Sequence, residues 1–550
     1  MKRLFSSSGR FTLPQLVGEP FKHYAQGSIE RNALEIALKS MKHEVVEIPC
    51  VVNGKFFFTG DVSYQVMPSN HSHKLAIFHK ATPDVINEAI KTSQVCRKDW
   101  ANLHFEHRAM VFRKAADLIA GKYRYRLNSA TMLGTGKTVW QAEIDSAVET
   151  IDFLRMNPVF AQEIFNMQPP LNSPNTWNRL EYRELEGFVV AISPFNFCAI
   201  GANLPTAPAL MGNTCLWKPA STSVLSNYIT YEILLEAGLP PGVISFLPSA
   251  GKVAGEALNH SDFAGLHFTG STATFNQLWQ QIGGNLNKYK SYPRIVGETG
   301  GKNFHLVHPS ADSDHVVYNT IRAAFEYQGQ KCSACSRVYA PKSLWRNMKN
   351  KLIELVREIK MGQPDDFSNF MSAVIDESAF NDHTNYIQHA KMSGSDCEII
   401  VGGKTDKSIG YFVEPTIIVT TNPFYKSMTE EIFGPILTIY VYDDSKENFW
   451  EDVIKKVDTA TKYGLTGSIF ARDRKALISA SDGLRHACGN LYLNDKSTGA
   501  VVGEQPFGGA RSSGTNDKAG SYLNLLRWVS PRTIKENTVQ LTDFKYPHMN

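Results

Sequence analysis

One cysteine in the sequence stands where a nucleophile could work. Cys332 lies in FEYQGQKCSACSR, directly after a Gly-Gln-Lys segment and before small residues. A thiol does covalent chemistry near neutral pH only as a thiolate, and backbone amides beside a lysine supply a positive environment that favours this form. The stretch therefore predicts a reactive cysteine.

Two other interpretations of Cys332 are open at this point. Free cysteine is among the most frequently buried residues, so Cys332 could be a structural core residue. Cys332 and Cys335 also form a C-x-x-C pair, as in redox and zinc sites. A structural zinc ion would need a second pair, and no metal is expected because the other cysteines are solitary. Those cysteines are Cys50, Cys96, Cys198, Cys215, Cys397 and Cys488.

Two further segments place polar side chains where predicted strands end. In SPFNF, Asn196 follows a predicted strand, where open α/β sheets bind ligands, and its amide can donate to a developing oxyanion. An Asx turn is the structural alternative for this asparagine. In WKPA, Lys218 ends the next predicted strand, in position for a ribose or phosphate.

Two glycine-containing segments add backbone amides and a carboxylate. FTGS ends a strand at a helix start, so the amides of Gly270 and Ser271 can face a pyrophosphate. GETGGKN sets one carboxylate, Glu298, among glycines, and a helix cap is its structural alternative. Cys332 therefore has a candidate base, a candidate oxyanion donor and candidate phosphate contacts elsewhere in the chain.

The elements that must position these residues alternate between strand and helix. Short apolar strands are predicted at Gly187–Ser193, Thr214–Pro219, Val243–Pro248 and Ala264–Ser271. Helices are predicted at Ser221–Ala237, Gly251–Asn259 and Ser271–Gly283. This rhythm is what a parallel, doubly wound sheet requires, and it predicts a dinucleotide-binding domain.

A second alternating block extends from about Gly301 to Leu493. Its predicted strands lie near Phe304 and Val338 and at Phe412–Val419, Leu437–Val441 and Gly467–Phe470. Its predicted helices are Ser313–Tyr327 and Leu344–Ile359. The tail beyond Ser521 is polar, with strand-like pieces.

The region before the first block is mostly helical. Helical periodicity covers Pro83–Ile164, with breaks near Gly121 and Gly134. Within it, LGTGKT resembles a phosphate-binding loop, but Thr131 stands where that motif requires its first glycine, so no such loop is expected. Before these helices, alternation predicts a hairpin with its turn at Asn53-Gly54, and after them the Pro- and Asn-rich stretch from Gln168 to Leu185 predicts an exposed arm.

Composition limits the class of protein. The 550 residues indicate two or three domains, and a net charge of +4 without a basic stripe gives no reason to expect nucleic acid. No apolar run is long enough to span a membrane, and eight scattered cysteines favour a reducing compartment. The first residues, MKRLFSSSGRFTLPQL, are basic, rich in hydroxyls and free of acids, which predicts a mitochondrial transit peptide; a disordered tail is the alternative.

Six segments follow one another along the chain: FNF, WKPA, FTGS, ETGGKN, GQKC and EEIFGP. In this order and spacing they resemble the NAD(P)-dependent aldehyde dehydrogenase superfamily along nearly the whole chain. The resemblance implies an α/β fold with a Rossmann-type parallel-sheet NAD-binding domain, an α/β catalytic domain and a small β oligomerisation arm. The expected domain boundaries are a transit peptide at 1–20, the NAD-binding domain at 21–167 and 186–298, the catalytic domain at 299–495, a substrate anchor loop at 496–520, and the arm and tail at 168–185 and 521–550.

The resemblance also implies a mechanism. Cys332 would attack an aldehyde carbon, while the Asn196 side chain and the Cys332 backbone amide hold the oxyanion. Hydride would pass to NAD+, leaving a thioester, and Glu298 would act as general base on the water that hydrolyses it.

Cofactor contacts are implied by matched position, with the adenosine ribose at Lys218 and the nicotinamide ribose at Glu431. The expected cofactor residues are Ser193, Phe195, Lys218, Ser221, Gly270, Ser271, Glu431 and Phe433. NAD is the expected cofactor, although Ser221 stands where many NAD-specific relatives carry a glutamate that repels the 2′-phosphate of NADP. A second departure is Phe275, where the commoner superfamily pattern has a glycine.

Within the superfamily, FEYQGQKCSACSR, PFNFCAIGANLP and the loop NDKSTGAVVGEQPFGGARSSGTNDKAG resemble members that oxidise L-glutamate γ-semialdehyde. The loop would offer backbone amides to the substrate carboxylate, two phenylalanine rings would contact its aliphatic chain, and Glu149 would accept its ammonium group. The expected substrate residues are Glu149, Phe197, Lys331, Ser333, Gly499, Ala500 and Phe507. The structural alternatives are a solvated helix acid for Glu149 and plain core for the two rings.

Two other functions are kept as hypotheses. The first is a dehydrogenase of another acidic semialdehyde. The second is a binding or structural protein on the same fold, against which the joint presence of Cys332, Glu298 and Asn196 argues. The expected setting is the mitochondrial matrix, with a small-molecule substrate, no nucleic acid, no membrane span and a homodimer or larger homo-oligomer. The arm at 168–185 is expected to pair with the tail beyond Ser521 across an interface.

Overall fold

The structure is a computed structural model that describes residues 12–14, 17–249 and 251–549. Residues 1–11, 15 and 16 of the predicted transit peptide lie outside the described residues. Residues 17–20 belong to the folded part, because the Glu19 carboxylate accepts hydrogen bonds of 2.6 Å from both Arg124 and Arg155. None of the described helices is both long and apolar enough to cross a membrane.

The N-terminal region combines short strands with a block of long helices. Its strands are β1 (Val46–Ile48), β2 (Cys50–Val52), β3 (Lys55–Phe57), β4 (Val62–Met67) and β5 (Asn70–His79). Its helices are α1 (Ile29–Lys42), α2 (Pro83–Asn102), α3 (Phe105–Leu118), α4 (Arg124–Thr135), α5 (Val139–Ala142) and α6 (Thr150–Asn166), with π-helical turns at Ile119–Tyr123 and Glu143–Glu149.

The helix break predicted near Gly121 is wrong, whereas the break predicted near Gly134 is confirmed two residues later, at Gly136. Gly121 lies inside the π-helical turn between α3 and α4, and Gly134 lies inside α4, where a Cβ atom would stand 2.4 Å from the Gln65 side chain. The helix ends instead at Gly136, which adopts the left-handed conformation with φ of 74°. LGTGKT is thus a helix end, and the rejection of a phosphate-binding loop there is confirmed.

The first predicted alternating block forms one parallel sheet with helices between its strands. Its strands are β7 (Phe188–Ile192), β8 (Thr214–Lys218), β9 (Ile244–Phe246), β10 (Phe263–Thr269) and β11 (Arg294–Glu298). Its helices are α7 (Cys198–Leu210), α8 (Val224–Ala237), α9 (Gly251–Ala257) and α10 (Thr272–Gly284), with 3-10 turns at Ser221–Ser223 and Leu286–Lys288. The spatial order is β11-β10-β7-β8-β9, and the predicted Asn53-Gly54 hairpin, β2-β3, extends this sheet to seven strands by pairing antiparallel with β9.

The second block also forms a seven-stranded sheet. The sheet contains β12 (Asn303–Val307), β13 (Cys335–Pro341), β14 (Cys397–Val401), β17 (Thr416–Thr420), β18 (Ile436–Tyr442), β20 (Thr466–Phe470) and β21 (Asn490–Leu493). Three short strands of this region lie outside the sheet: β15 (Thr405–Asp406), β16 (Phe412–Val413) and β19 (Tyr463–Gly464). Its helices are α11 (Ser313–Phe325), α12 (Lys342–Glu358), α13 (Glu377–Met392), α14 (Lys426–Thr429), α15 (Phe449–Thr459) and α16 (Arg474–Gly483), with 3-10 turns at Glu326–Gly329 and Gly394–Asp396. The order is β14-β17-β18-β13-β12-β20-β21, parallel except for β14. The single strand predicted at 412–419 is two strands, because the Glu414-Pro415 step interrupts it.

The arm and tail form a separate two-stranded ribbon. The arm contributes β6 (Thr176–Arg183), and the tail contributes α17 (Tyr522–Leu525), a 3-10 turn at Leu526–Trp528, β23 (Ser530–Asn537) and a 3-10 turn at Pro547–Met549. Outside this ribbon, β22 (Ala510–Arg511) lies in the 496–520 loop and pairs antiparallel with β19. β6 and β23 pair antiparallel over their full length. The predicted pairing of arm and tail therefore forms within one chain and needs no second subunit.

Candidate active site

The site forms where the two large sheets meet. Glu298 ends β11, Gly270 follows β10, Asn196 follows β7 and Lys218 ends β8, and these four strands are neighbours, so their carboxyl ends share one edge of the first sheet. Cys332 and Glu431 instead precede β13 and β18, which are neighbouring strands of the second sheet.

The nucleophile loop is held in a strained conformation. Tyr327 and Gln328 adopt the left-handed region with φ of 52° and 56°, followed by Gly329 with φ of 66°. The Gln328 side chain fixes this bend, since it donates to the carbonyls of Gly136 at 3.0 Å and Ala373 at 2.7 Å. Asn303 holds the other side by donating to the carbonyls of Cys332 at 2.7 Å and Ala334 at 2.8 Å.

The expected positive environment of Cys332 is wrong for this state of the protein. Burial raises the pKa of the Cys332 thiol to about 12, and the carboxylates of Glu298 and Glu431 act in the same direction. Lys331 does not offset this effect, because its ammonium is paired with Glu326 at 2.9 Å. The thiol is therefore neutral near pH 7 and needs a base to become a nucleophile.

Glu298 is the carboxylate best suited to act as this base. It is partly buried at the end of β11, and its carboxylate accepts a hydrogen bond of 2.9 Å from the Gly509 amide. Burial raises the pKa of Glu298 well above its ordinary value, against the opposing effects of that amide and of Lys518. A carboxyl group with a raised pKa can exchange a proton near neutral pH.

Asn196 lies beside the nucleophile loop, as expected. Its side chain is buried, and its amide donates a hydrogen bond of 3.2 Å to the carbonyl of Gln330, two residues before Cys332. The Asn196 side chain thus supplies an amide donor next to the cysteine. Its hydrogen bond goes to the nucleophile loop, so it does not form the Asx turn considered as the alternative.

Lys218 and Ser221 lie at the predicted cofactor edge. The Lys218 ammonium is largely buried, and within the described residues its hydrogen bond goes to the Pro219 carbonyl at 3.3 Å. Burial lowers the pKa of Lys218 to about 8. An ammonium with so few partners fits a hydroxyl or phosphate ligand. Ser221 is exposed at the start of the turn that follows Lys218.

Two of the predicted cofactor residues have other uses. The Gly270 amide donates to the Glu298 carbonyl at 3.2 Å, so the prediction that it faces a pyrophosphate is wrong in this structure. The Ser193 hydroxyl accepts a hydrogen bond of 2.7 Å from the Trp217 indole, and the Ser193 amide donates to the Lys218 carbonyl at 3.0 Å. Ser193 therefore joins β7 to β8. Ser271 is exposed and caps α10 by accepting from the Thr274 amide at 3.2 Å.

Glu431, Phe433 and Phe195 form a second group at the junction of the sheets. The Glu431 carboxylate accepts a hydrogen bond of 2.8 Å from the Gly301 amide, and burial raises its pKa to about 7. Phe433 has φ of 57°, and its ring meets that of Phe195 edge-on at 5.8 Å. The two rings thus bring the Asn196 loop of the first sheet against the second.

The predicted ammonium acceptor lies among charged groups rather than on an outer helix face. Glu149 ends the π-helical turn, and burial together with Asp145 raises its pKa to about 8, while Lys137 and Lys331 act in the opposite direction. Glu149 is half-buried among these charges, which argues against a solvated helix acid. The Phe197 ring lies nearby, with the Lys137 ammonium 4.0 Å from its centroid.

The predicted carboxylate-binding loop is bonded to Ser333, the residue after the cysteine. The Ser333 and Thr498 hydroxyls are 2.7 Å apart, which joins the loop to the residue after Cys332. Gly499 has φ of 100°, a conformation that favours glycine, and Ala500 follows it. Phe507 pairs with Ala519 through two backbone hydrogen bonds and is partly buried. The loop is thus joined to the nucleophile segment through Ser333, to which Ser497 also donates at 3.3 Å.

Sequence analysis missed three residues of this site. Lys137 is buried beside Phe197 and pairs with Asp145 at 2.6 Å, although its motif had been considered only as a phosphate-binding loop. Asn303 clamps the nucleophile loop, and the GGKN motif that contains it was used only for its carboxylate neighbour. Glu326 lies in the nucleophile stretch itself and was not considered.

The unusual Phe275 is a packing residue. Its ring stacks on Phe268 at 5.4 Å and lies over Gly297, where a Cβ atom would stand 2.2 Å from the ring. Gly297 therefore makes room for the larger side chain one residue before Glu298.

The C-x-x-C pair has no metal partners in the described chain. Within residues 12–14, 17–249 and 251–549, no group of three or more His, Cys, Asp or Glu side chains is arranged to hold a metal ion. Cys335 is buried and contacts the Arg337 carbonyl at 3.6 Å.

Comparison with known proteins gives one consistent result. Residues 59–534 match the model of the aldehyde dehydrogenase family. The chain is 58% identical over 549 residues to "Delta-1-pyrroline-5-carboxylate dehydrogenase, mitochondrial" of Dictyostelium discoideum, covering 99% of this chain and 98% of that protein. It is 51% identical to the protein of the same name from Bos taurus, covering 97% and 94%. The crystal structure of the Mycobacterium tuberculosis Delta-pyrroline-5-carboxylate dehydrogenase bound with NAD has a TM-score of 0.95 and 46% identity, covering 99% of this chain and all of that one.

Proposed function

The chain belongs to the aldehyde dehydrogenase family, and from this premise we propose that it oxidises L-glutamate γ-semialdehyde, formed from Δ1-pyrroline-5-carboxylate, to L-glutamate with NAD+. This is the second step of proline catabolism. The observation that supports the proposal is the surroundings of the Cys332 thiol: Glu298 acts on its pKa, and the Asn196 amide is bonded to the carbonyl of Gln330, two residues before it.

Catalysis begins with activation of the Cys332 thiol. Because the thiol is neutral and Glu298 is an electrostatic neighbour with a raised pKa, Glu298 can receive the thiol proton as the sulfur attacks the aldehyde carbon. The Asn196 side-chain amide exchanges its hydrogen bond to the Gln330 carbonyl for one to the oxyanion that forms. The Cys332 backbone amide donates to the same oxyanion.

Loss of hydride from the tetrahedral adduct leaves a thioester on Cys332. NAD+ supplies the hydride acceptor when it is bound. Glu298 first releases the thiol proton to solvent. It then takes a proton from the water that attacks the thioester carbonyl, and this proton passes to the sulfur, which regenerates the thiol as the acid product leaves.

The cofactor residues support NAD binding along the shared edge of the first sheet. Lys218 has an ammonium short of partners, which suits the hydroxyls of the adenosine ribose, and Ser271 lies at the start of a helix of 13 residues. Glu431 is placed for the nicotinamide ribose, with Phe195 and Phe433 beside it. Ser221 carries no charge to repel a 2′-phosphate.

Substrate recognition uses groups from two parts of the chain, the loop at 496–520 and the π-helical turn that ends at Glu149. The amides of Gly499 and Ala500 and the Ser333 hydroxyl bind the α-carboxylate, and Glu149 accepts the α-ammonium. Phe197 and Phe507 contact the methylene chain, and Lys331 adds a positive charge paired with Glu326.

We further propose that the enzyme works in the mitochondrial matrix as a homodimer or larger homo-oligomer. The names of the Dictyostelium and bovine relatives support a mitochondrial location. The β6-β23 ribbon supports the oligomer, because Trp177 and the tail residues Leu541 and Phe544 leave more than half of their surface exposed.

The test is NADH formation by the purified protein with L-glutamate γ-semialdehyde, compared with succinate semialdehyde. We expect a clear preference for glutamate semialdehyde in kcat/KM and loss of turnover in Cys332→Ser, since an alcohol of far higher pKa does not replace the thiol. A preference for succinate semialdehyde would favour the alternative, a dehydrogenase of another acidic semialdehyde. If Cys335 proved essential for turnover in place of Cys332, the assignment of Cys332 as the nucleophile would be refuted.

A further inference from the structure

Lys518 is a partly buried lysine of the 496–520 loop that takes no part in the steps above. Its ammonium donates three hydrogen bonds, to the Gly489 carbonyl at 2.8 Å, the Asn490 side-chain oxygen at 3.2 Å and the Gly508 carbonyl at 3.2 Å. Gly489 and Asn490 lie at the start of β21, the edge strand of the second sheet. Lys518 therefore binds the loop to this sheet.

Asn490 strengthens the same attachment without a charge. Its side-chain oxygen accepts a hydrogen bond of 3.2 Å from the Gly508 amide, and its side-chain nitrogen donates to the Pro506 carbonyl at 3.0 Å. The approach is close, because a Cβ atom at Gly489 would stand 1.8 Å from the Gly508 oxygen. Two side chains, those of Asn490 and Lys518, thus fix Gly508 on the start of β21.

A single peptide group joins Lys518 to the general base. The Gly508 carbonyl and the Gly509 amide belong to the same planar peptide group, and that amide donates to a Glu298 carboxylate oxygen at 2.9 Å. A Cβ atom at Gly508 would stand 3.2 Å from the other carboxylate oxygen, so both oxygens lie against this peptide. Within the described residues, the Gly509 amide is the only hydrogen-bond donor to the Glu298 carboxylate. A bond donated to the carbonyl of this peptide also polarises its amide.

The charged or titratable groups that face Glu298 come from two segments. Lys518 and Asp517 belong to the loop, and the Cys332 thiol belongs to the nucleophile segment. Asp517 has a partner of its own, the Arg527 guanidinium at 3.3 Å. Of the three groups, Lys518 alone favours the ionised form of Glu298, because Asp517 and a Cys332 thiolate oppose it.

We propose that Lys518 is a positioning residue for the general base: by holding the Gly508–Gly509 peptide, it keeps the amide donor on Glu298 and sets the pH range of thioester hydrolysis. The inference deepens the proposed function and rests on it. If this peptide is released, the buried carboxylate loses its donor, and burial favours the protonated form more strongly. A protonated Glu298 takes no proton from water, so hydrolysis then requires a higher pH.

The test follows NADH formation by the full-length enzyme with glutamate semialdehyde and NAD+ across the pH range. Stopped-flow absorbance separates the burst, which reports acylation, from the steady state, which reports hydrolysis. In wild type we expect the hydrolysis rate to rise with pH and level off. In Lys518→Met we expect the midpoint of this rise to move up by about one pH unit or more, which lowers hydrolysis about tenfold below the midpoint. The rate should recover at high pH.

Two further variants separate the peptide contact from charge and from general packing. Asn490→Ala removes a neutral side chain that fixes the same Gly508, so the midpoint should move in the same direction, whether or not Lys518→Met folds well. Lys391→Met is the matched control, because Lys391 donates to the carbonyl of another loop glycine, Gly403, at 2.9 Å. Its midpoint should equal that of wild type.

A shift in Lys518→Met without one in Asn490→Ala would overturn the positioning role, because charge and not the peptide would then set the pH range. A rate lowered equally at every pH, or an equal shift in Lys391→Met, would also overturn it. In these cases a wild type that prefers glutamate semialdehyde leaves the proposed function intact. If wild type prefers succinate semialdehyde, the proposed function fails, and the same comparison with that aldehyde decides the role of Lys518, because its thioester must also be hydrolysed.

Discussion

The side-chain amide of Asn303 donates a hydrogen bond of 2.7 Å to the backbone carbonyl of Cys332. A second bond of 2.8 Å, to the Ala334 carbonyl, makes Asn303 a clamp on both sides of the nucleophile. Since two left-handed residues, Tyr327 and Gln328, strain the preceding turn, the position of the sulfur depends on such clamps.

Asn303→Ser should therefore lower kcat by about tenfold or more, because two buried hydrogen bonds worth roughly 1 kcal/mol each no longer fix the reacting atom. Steady-state kinetics with glutamate semialdehyde would measure the loss. Asn227→Ser is the matched control, a buried asparagine with two donated bonds inside the cofactor domain. It should lower the free energy of unfolding while kcat stays near wild type; equal kcat losses would remove the specific role of Asn303.

The reactivity of Cys332 should follow its raised pKa. With a thiol pKa of about 12, the thiolate fraction rises about tenfold per pH unit between pH 7 and 9, and the alkylation rate of the cofactor-free enzyme should rise with it. Peptide mass spectrometry after iodoacetamide treatment would follow Cys332 separately from the partly exposed Cys96. In this assay the thiol proton is lost to solvent before alkylation, so Glu298→Gln should alkylate faster at fixed pH, because one carboxylate that raises the thiol pKa is gone. A rate that is constant from pH 7 to 9 would show that the thiol is already ionised.

Glu298→Gln, which should speed alkylation, should slow steady-state turnover. Glu298→Gln leaves acylation partly intact and stalls thioester hydrolysis, so we expect a burst of NADH followed by a slow steady state. In wild type, Glu298 acts as a base in its ionised form, so the hydrolysis rate should rise as the pH rises through its elevated pKa. Stopped-flow absorbance across the pH range would measure both. Equal loss of burst and steady state would assign Glu298 an essential role before hydrolysis.

Cofactor preference should depend on the charge at position 221. Wild type is expected to prefer NAD+ and to use NADP+ measurably, because the exposed Ser221 cannot repel a 2′-phosphate. Ser221→Glu should lower kcat/KM for NADP+ by about tenfold or more through like-charge repulsion, with a smaller change for NAD+. Absence of any NADP+ activity in wild type would mean that another residue provides the exclusion.

Glu149→Ala should change the choice of substrate. We expect kcat/KM for glutamate semialdehyde to fall by more than about tenfold, since a buried charged contact contributes ~2 kcal/mol. The loss on propanal, which has no ammonium group, should be much smaller. Glu163→Ala, an exposed acid on the outer face of α6, is the control. Equal losses on both aldehydes would make Glu149 a structural residue.

Much of the fold could be predicted from the sequence because local patterns determine it. Buried runs such as FVVAI, followed by helices, indicated the parallel sheet, and the strand ends then identified Asn196, Lys218 and Glu298. The hairpin at Asn53-Gly54 was predicted for the same local reason, since both turn residues adopt positive φ. Its addition to the edge of the first sheet was not predictable, because it depends on contact with β9.

The electrostatics of the site were decided by the tertiary structure alone. Lys331 adjoins Cys332 in the sequence, yet its ammonium is bound to Glu326, while Glu298 and Glu431, distant in the chain, lie close enough to raise the pKa of the thiol. Lys137 gave no sequence signal, because its contacts with Asp145 and with the Phe197 and Tyr327 rings form only when separate segments pack together. The sequence by itself determined which chemical groups the site contains. Their protonation was set by folding, because burial and charges from remote segments fix a pKa.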